Sequence, residues 1–159
     1  MKTIKIIIFN LTILICLLSC RTEDSNHHTI SFVNKSESPV YITYEGTYPD
    51  TLPITLGVSI AKDYKVDINE KNITALGSGI SAWEKIFKRF TSDTLMVYVF
   101  DASKVDSLIK EKPSRPSSFA ALVKRYDLSL NDLQRMGWVL YYPPTEAMKD
   151  IKMWPPYGN

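Results

Sequence analysis

Cysteine and histidine are nearly missing from this chain, and their placement excludes more than their number. The two cysteines among 159 residues are Cys16 and Cys20, and the two histidines are His27 and His28. Neither type occurs after His28. Ser-His and Cys-His nucleophile pairs are therefore excluded from the body of the chain. So are His-ligated zinc centres, and no disulfide can staple that body together. Glycine is also sparse, and Gly77-Ser78-Gly79 falls short of a phosphate-cradling loop, which needs a fuller pattern and a following Lys-Ser/Thr. Charge of one sign is lacking too: 19 basic side chains stand against 17 acidic ones. Both basic residues in excess, Lys2 and Lys5, precede Cys20, and without them 17 face 17. A neutral body does not carry the basic surface of a nucleic-acid binder.

What is present begins with the leader. Lys2 and Lys5 form a basic head, Ile6 to Leu18 an apolar run broken by Asn10 and Thr12, and Leu17-Leu18-Ser19-Cys20 a small-residue ending. That layout is a secretory signal peptide. A membrane-spanning helix needs about 20 predominantly apolar residues; this run is shorter and meets Arg21, Glu23 and Asp24 at once. A soluble N-terminal helix is the bland alternative, but a stripe apolar all round would have to be buried all round. The ending resembles the lipobox of bacterial lipoproteins, which implies diacylation of Cys20 and removal of residues 1–19. The 19 residues removed from 159 leave 140, enough for one domain with an adequate core. Acyl chains contribute about 0.8 kcal/mol per buried methylene, and two chains suffice for stable anchoring. Residues 20–28 are read as the acylated cysteine and a polar, solvated tether, with His27-His28 as linker rather than a metal trap, and 29–159 as a single globular domain.

Strand patterns open that domain. Ile30 to Asn34 and Val40 to Tyr44 flank a turn-rich Lys35 to Pro39, which predicts an antiparallel pair joined by a short loop. Tyr64, Val66 and Ile68 alternate with polar residues as a half-buried strand does, and a loop is expected from Asn69 to Gly79. Ser81 and Glu84 have capping-box spacing ahead of a helix whose Trp83, Ile86, Phe87 and Phe90 make one apolar stripe. Leu95 to Phe100 is apolar without interruption, the mark of a central strand. A short helix over Ser103 to Lys110, a loop around Pro113 and Pro116, a helix capped by Ser129 and ended by Gly137, and a last strand over Trp138 to Tyr142 complete the reading. The aromatic tail through Trp154 and Tyr157 is expected to fold back. The fold class is α+β and β-rich: an antiparallel, sandwich-like sheet with two or three short helices, or one open antiparallel sheet with helices on a single face.

Asn34, Pro39 to Ile42, Tyr48 to Thr51, Trp83-Glu84, Val97 to Asp101, Arg125 to Leu128 and Trp138 to Pro143 together resemble a group of small uncharacterised lipoproteins from Bacteroides-like bacteria. The resemblance implies a β-rich domain and an outer-membrane address, and it brings no activity. Glu23-Asp24 after the lipid site is similar to the acidic export signal of surface-exposed lipoproteins in such bacteria. Asp50-Thr51-Leu52, Asp93-Thr94-Leu95 and Asp106-Ser107-Leu108 resemble their O-glycosylation signal, which makes Thr51, Thr94 and Ser107 candidate acceptors. The function expected is a non-enzymatic accessory or binding domain that uses its membrane anchor and either a glycan or a larger membrane complex as partner. For a glycan, Tyr44, Tyr48, Trp154 and Tyr157 are the candidate stacking rings, each alternatively a core residue. The competing expectation is a carboxylate-based glycoside or ester hydrolase using Asp101 and Asp127, whose carboxyls would need to stand about 5 to 9.5 Å apart. No cofactor or metal is called for.

Overall fold

The computed structural model of the chain describes residues 26–49, 64–77, 81–111 and 118–158. The leader, Cys20, Thr51 and the Pro113–Pro116 loop lie outside them. The fold is α+β and β-rich. Strands β1 (Thr29–Asn34), β2 (Val40–Glu45), β3 (Lys65–Val66) and β4 (Lys71–Gly77) precede helix α1 (Trp83–Phe87). Strand β5 (Leu95–Asp101), helix α2 (Ala102–Glu111), β6 (Leu122–Leu128), α3 (Leu130–Arg135), β7 (Val139–Tyr142) and β8 (Lys152–Trp154) follow. One sheet runs β3-β2-β5-β6-β8 with every pairing antiparallel, and a second runs β4-β1-β7.

The uninterrupted apolar run of β5 is explained by its place. Leu95, Val97 and Val99 share one core with Ile30 and Phe32 of β1, Leu140 of β7, Trp83 and Phe87 of α1, and Leu133 of α3. Met96, Tyr98 and Phe100 point to the other face, where Tyr41, Ala102, Val105 and Ala121 form a second cluster under α2. Alternating side chains of a strand sandwiched on both faces must all be apolar. Full burial of a side chain of this size stabilises by about 1.5–3 kcal/mol.

Two local expectations fail at the first turn and the first helix. Strands β1 and β2 do not pair; the turn after Asn34 hands the chain from one sheet to the other. Asn34, wholly buried, explains this. Its Nδ2 donates to Ser38 O at 2.9 Å and to Val66 O at 3.1 Å, while its Oδ1 accepts from Ser36 N at 3.0 Å and Ser36 Oγ at 2.7 Å. The backbone N of Lys35 meanwhile donates to Tyr142 O in the other sheet at 2.6 Å. Strand β1 pairs antiparallel with β4 and parallel with β7, so the smaller sheet is mixed, and residues 71–77, expected as loop, are a strand. At α1 the N-cap is Ala82, without a side-chain cap, because the Glu84 carboxylate turns to His27 instead.

Helix α3 follows its sequence signals closely. Ser129 Oγ accepts from Asp132 N at 3.1 Å and Ser129 N donates to Asp132 Oδ2 at 3.0 Å, a reciprocal capping box. At the other end Gly137 N donates to Gln134 O and Trp138 N to Leu133 O, a Schellman closure with Gly137 at φ +62°, where glycine carries no Cβ penalty. Trp138 follows at φ +63°, a conformation that costs a bulky residue about 1–3 kcal/mol unless its surroundings hold it there.

His27 supplies part of that surround and corrects the solvated-linker expectation. Its ring stacks on Trp138 with centroids 4.1 Å apart at 14°. Its Nδ1 lies 2.7 Å from Glu84 Oε1, and its main-chain N donates to the same carboxylate. A carboxylate only accepts, so Nδ1 carries the proton. His27 O in turn accepts from Trp83 N at 2.7 Å. His27, ahead of β1, is thus tied into the fold through Trp83, Glu84 and Trp138.

Candidate functional site

The outer face of the five-stranded sheet is unequal in its two halves. Helix α2 closes over Tyr41 and Phe100. Beyond it, strand alternation and register put Tyr98 opposite Arg125, Met96 opposite Asp127, Arg125 opposite Trp154 and Asp127 opposite Lys152, so all six side chains lie on this one face. The loop after β2 brings Tyr48 over them. That loop is seated by Ser92 Oγ donating to Tyr48 O at 3.2 Å and by Gly46, where an added Cβ would fall inside the Phe90 ring.

The polar groups of this face form one network. Arg125 donates from Nε to Asp127 Oδ1 at 2.6 Å and from Nη2 to Oδ2 at 2.9 Å, a bidentate pair. The hydrogen bonds to Asp127 hold the Arg125 guanidinium above its ordinary range despite burial. The guanidinium carbon stands 6.0 Å from both the Tyr48 and the Tyr98 ring centres, within cation-π reach of each. Lys152 Nζ donates to Tyr48 Oη at 2.6 Å, and that bond raises the ammonium's pKa. Its distance to the Tyr48 ring centre is 5.1 Å; the two distances together put the ammonium beyond the hydroxyl edge rather than over the ring. Two cations facing one carboxylate leave the network positive. Trp154 beside it is 57% exposed, and the Lys152 side chain 69%.

Of the four rings proposed for stacking, the fold brings Tyr48 and Trp154 to this face. Tyr44 turns inward and meets Trp83 edge-on at 5.5 Å, and Tyr157 lies elsewhere, donating to Glu146 Oε2 at 3.1 Å. The two carboxylates proposed for hydrolysis are not brought together. Asp127 pairs with Met96, five positions from Asp101 along β5, so their backbones are separated by about 16 Å along the strand. Asp101 accepts from Ser103 Oγ at 2.7 Å and Lys104 N at 3.1 Å, which holds its carboxyl below the usual range against the effect of burial; it caps the start of α2. Asp127 is engaged by Arg125. Among the glycosylation candidates, Thr94 is half-buried before β5 and Ser107 is exposed on α2, its Oγ donating to Ser103 O at 2.9 Å. The neighbouring Asp106 accepts from Tyr41 Oη at 2.8 Å and Lys65 Nζ at 3.3 Å, and burial and that carboxylate push the Tyr41 phenol up to about 12.

Arg125 and Lys152 were not foreseen as site residues, although Arg125-x-Asp127 and Lys152-x-Trp154 carry the two-residue spacing that puts side chains on one face of a strand. Among the described residues no cluster of three or more metal-ligating side chains occurs, and no helix is long and apolar enough to cross a membrane. Comparison with protein-family models, curated proteins and solved structures gives no significant match.

Proposed function

We propose that this chain is a bacterial lipoprotein, held at the outer membrane through acyl chains on Cys20, whose folded part is a non-enzymatic binding domain for a carbohydrate. The observation that carries the binding reading is the exposed Trp154 set beside Tyr48, Lys152, Arg125 and Asp127 on one sheet face. An indole ring left in water next to a rigid hydrogen-bonded network offers a flat apolar surface for a sugar ring. Charged donors and acceptors stand at its margin for the hydroxyls. Arg125 and Asp127 are already fixed by each other, so little side-chain entropy is lost when a ligand meets them. A membrane anchor with a short connection keeps such a face close to surface glycans. The carboxylate-hydrolase reading has no comparable support, since Asp101 and Asp127 are apart.

The test is a glycan array probed with the lipidated chain in detergent, followed by titration calorimetry on the best glycan. Trp154→Ala is expected to abolish binding while leaving the unfolding midpoint in place, because the ring is mostly outside the core. Binding that survives both Trp154→Ala and Tyr48→Ala, or an array without a single hit, refutes the proposal.

A further inference from the structure

Strand β6 has a third charged side chain, Lys124, which the outer face does not use. Lys124 alternates with Arg125 and therefore points away from the Tyr48 and Trp154 face, toward the end of the space between the two sheets. It is only 4% exposed. Its Nζ donates to Pro155 O at 2.9 Å, and among the described residues no carboxylate stands within ion-pairing reach. Lysine is seldom buried to this extent without a partner charge, and here a single carbonyl takes that place. Burial alone pushes its pKa down.

Lys124 lines a cleft of about 450 Å³ together with Val123, Tyr142, Pro143, Pro144 and Tyr157. That volume lies in the range of small-molecule sites. The Tyr142 hydroxyl has no hydrogen-bond partner among the described residues, and burial first, then the field of Asp101, raise its pKa, so it stays a donor. Tyr157 is committed to Glu146, whose carboxylate also meets Lys149 Nζ at 3.1 Å. The walls from Val123, Pro143 and Pro144 are apolar.

We propose that this cleft is a separate binding site for a small organic monocarboxylate with a ring or apolar body, its carboxylate held between the Lys124 ammonium and the Tyr142 hydroxyl. One cation suits one negative charge. The carboxylates of Glu146, bonded to Tyr157 of the lining, and of Asp101, whose field reaches Tyr142, disfavour a second negative charge, which sets phosphate esters aside. The ligand's carboxylate supplies a counter-charge to the Lys124 ammonium, and its body replaces water against the two prolines.

Saturation-transfer NMR on the detergent-purified lipidated chain tests this, with benzoate as probe and benzamide and inorganic phosphate as competitors. Saturable transfer to benzoate is expected below about 10 mM, without displacement by benzamide or phosphate. Lys124→Met is expected to weaken benzoate about 10- to 100-fold, and Tyr142→Phe about tenfold, as loss of hydrogen bonds to a charged group implies. Since Lys124→Met also frees the Pro155 carbonyl, Tyr142→Phe is the cleaner variant; its thermal midpoint is expected to stay within error of the parent. Absence of saturable transfer, equal competition by benzamide or phosphate, or parental affinity in Tyr142→Phe would each overturn the assignment.

Discussion

Replacing Asn34 by alanine removes the side chain that fastens the turn after β1 to β3 of the larger sheet. The amide fills its capacity with four hydrogen bonds, two donated to Ser38 O and Val66 O and two accepted from Ser36. A hydrogen bond contributes a net 0.5–1.5 kcal/mol, and an abandoned buried carbonyl costs about 1–3 kcal/mol. Two of the four partners, Ser36 N and Ser36 Oγ, sit near enough to solvent to find water. The Val66 carbonyl is in the wholly buried part of β3, where it keeps its ladder pairing with Val40 but finds no water for the second lone pair. Together these give a loss of about 3 kcal/mol for Asn34→Ala, a large share of the 5–15 kcal/mol expected of a domain. At roughly 4 °C per kcal/mol for a domain of this size, the midpoint should fall by about 12 °C. Urea unfolding followed by tryptophan fluorescence measures the loss directly. Asn34→Asp sharpens the reasoning, because it keeps the shape and turns both donors into a carboxylate facing two carbonyls. Its folded-state pKa must then lie above the unfolded value, so its deficit should be largest at neutral pH and shrink as pH falls through the carboxylate range. A loss under about 0.5 kcal/mol for Asn34→Ala, the scale of an ordinary surface substitution, would refute the role given to this residue.

Three further outcomes are expected. Burial raises the Glu84 carboxyl, but hydrogen bonds from His27 and the backbone outweigh it and leave its pKa lowered. The stability Glu84 contributes is therefore present above the unfolded carboxylate value and lost as pH falls through the folded one. Urea midpoints of Glu84→Gln and the parent should converge as pH falls below the usual carboxylate range, and a pH-independent gap would contradict this. Gly46→Ala drives a methyl group into the Phe90 ring, so a destabilisation of about 1–3 kcal/mol and a displaced Tyr48 are expected, read from calorimetry and from weakened glycan binding. Cys20→Ser should leave the domain folded and abolish acylation; mass spectrometry of membrane-extracted parent protein that finds Met1 intact, or an N-terminus other than acylated Cys20, would end the lipoprotein proposal.

Elements whose sequence encodes them locally were legible, and those that depend on distant partners were not. Leu95 to Phe100 announces a strand covered on both faces, and the Ser129, Asp132 and Gly137 signals place α3 to the residue because caps are made within a few positions of chain. Strand β6 is only faintly marked, because Lys124, Arg125 and Asp127 interrupt its apolar pattern, and two of the three build the candidate site. The polar run before β1 hid His27 for the same reason: a histidine that stacks and a histidine that is solvated look alike until Trp138 and Glu84 arrive from far along the chain. Tyr48 and Trp154 were nameable as exposed rings by type, but their meeting on one face needed the β6 to β8 register.

The parallel pairing of β1 with β7 also dictates an order of events. Ser31 finds its partner in Val139 and Asn34 in Tyr142, so the first strand of the fold waits for nearly the last, and β6 waits for β8. Contacts so distant in sequence form only after the intervening loop closes, which makes folding slow. A ribosome-bound chain that has not yet emitted Tyr142 cannot complete the smaller sheet, and its larger sheet still lacks an edge. Until then Ile30 and Phe32 lack the Leu140 side of their shared core, and the half-made domain keeps that apolar surface open to wrong partners.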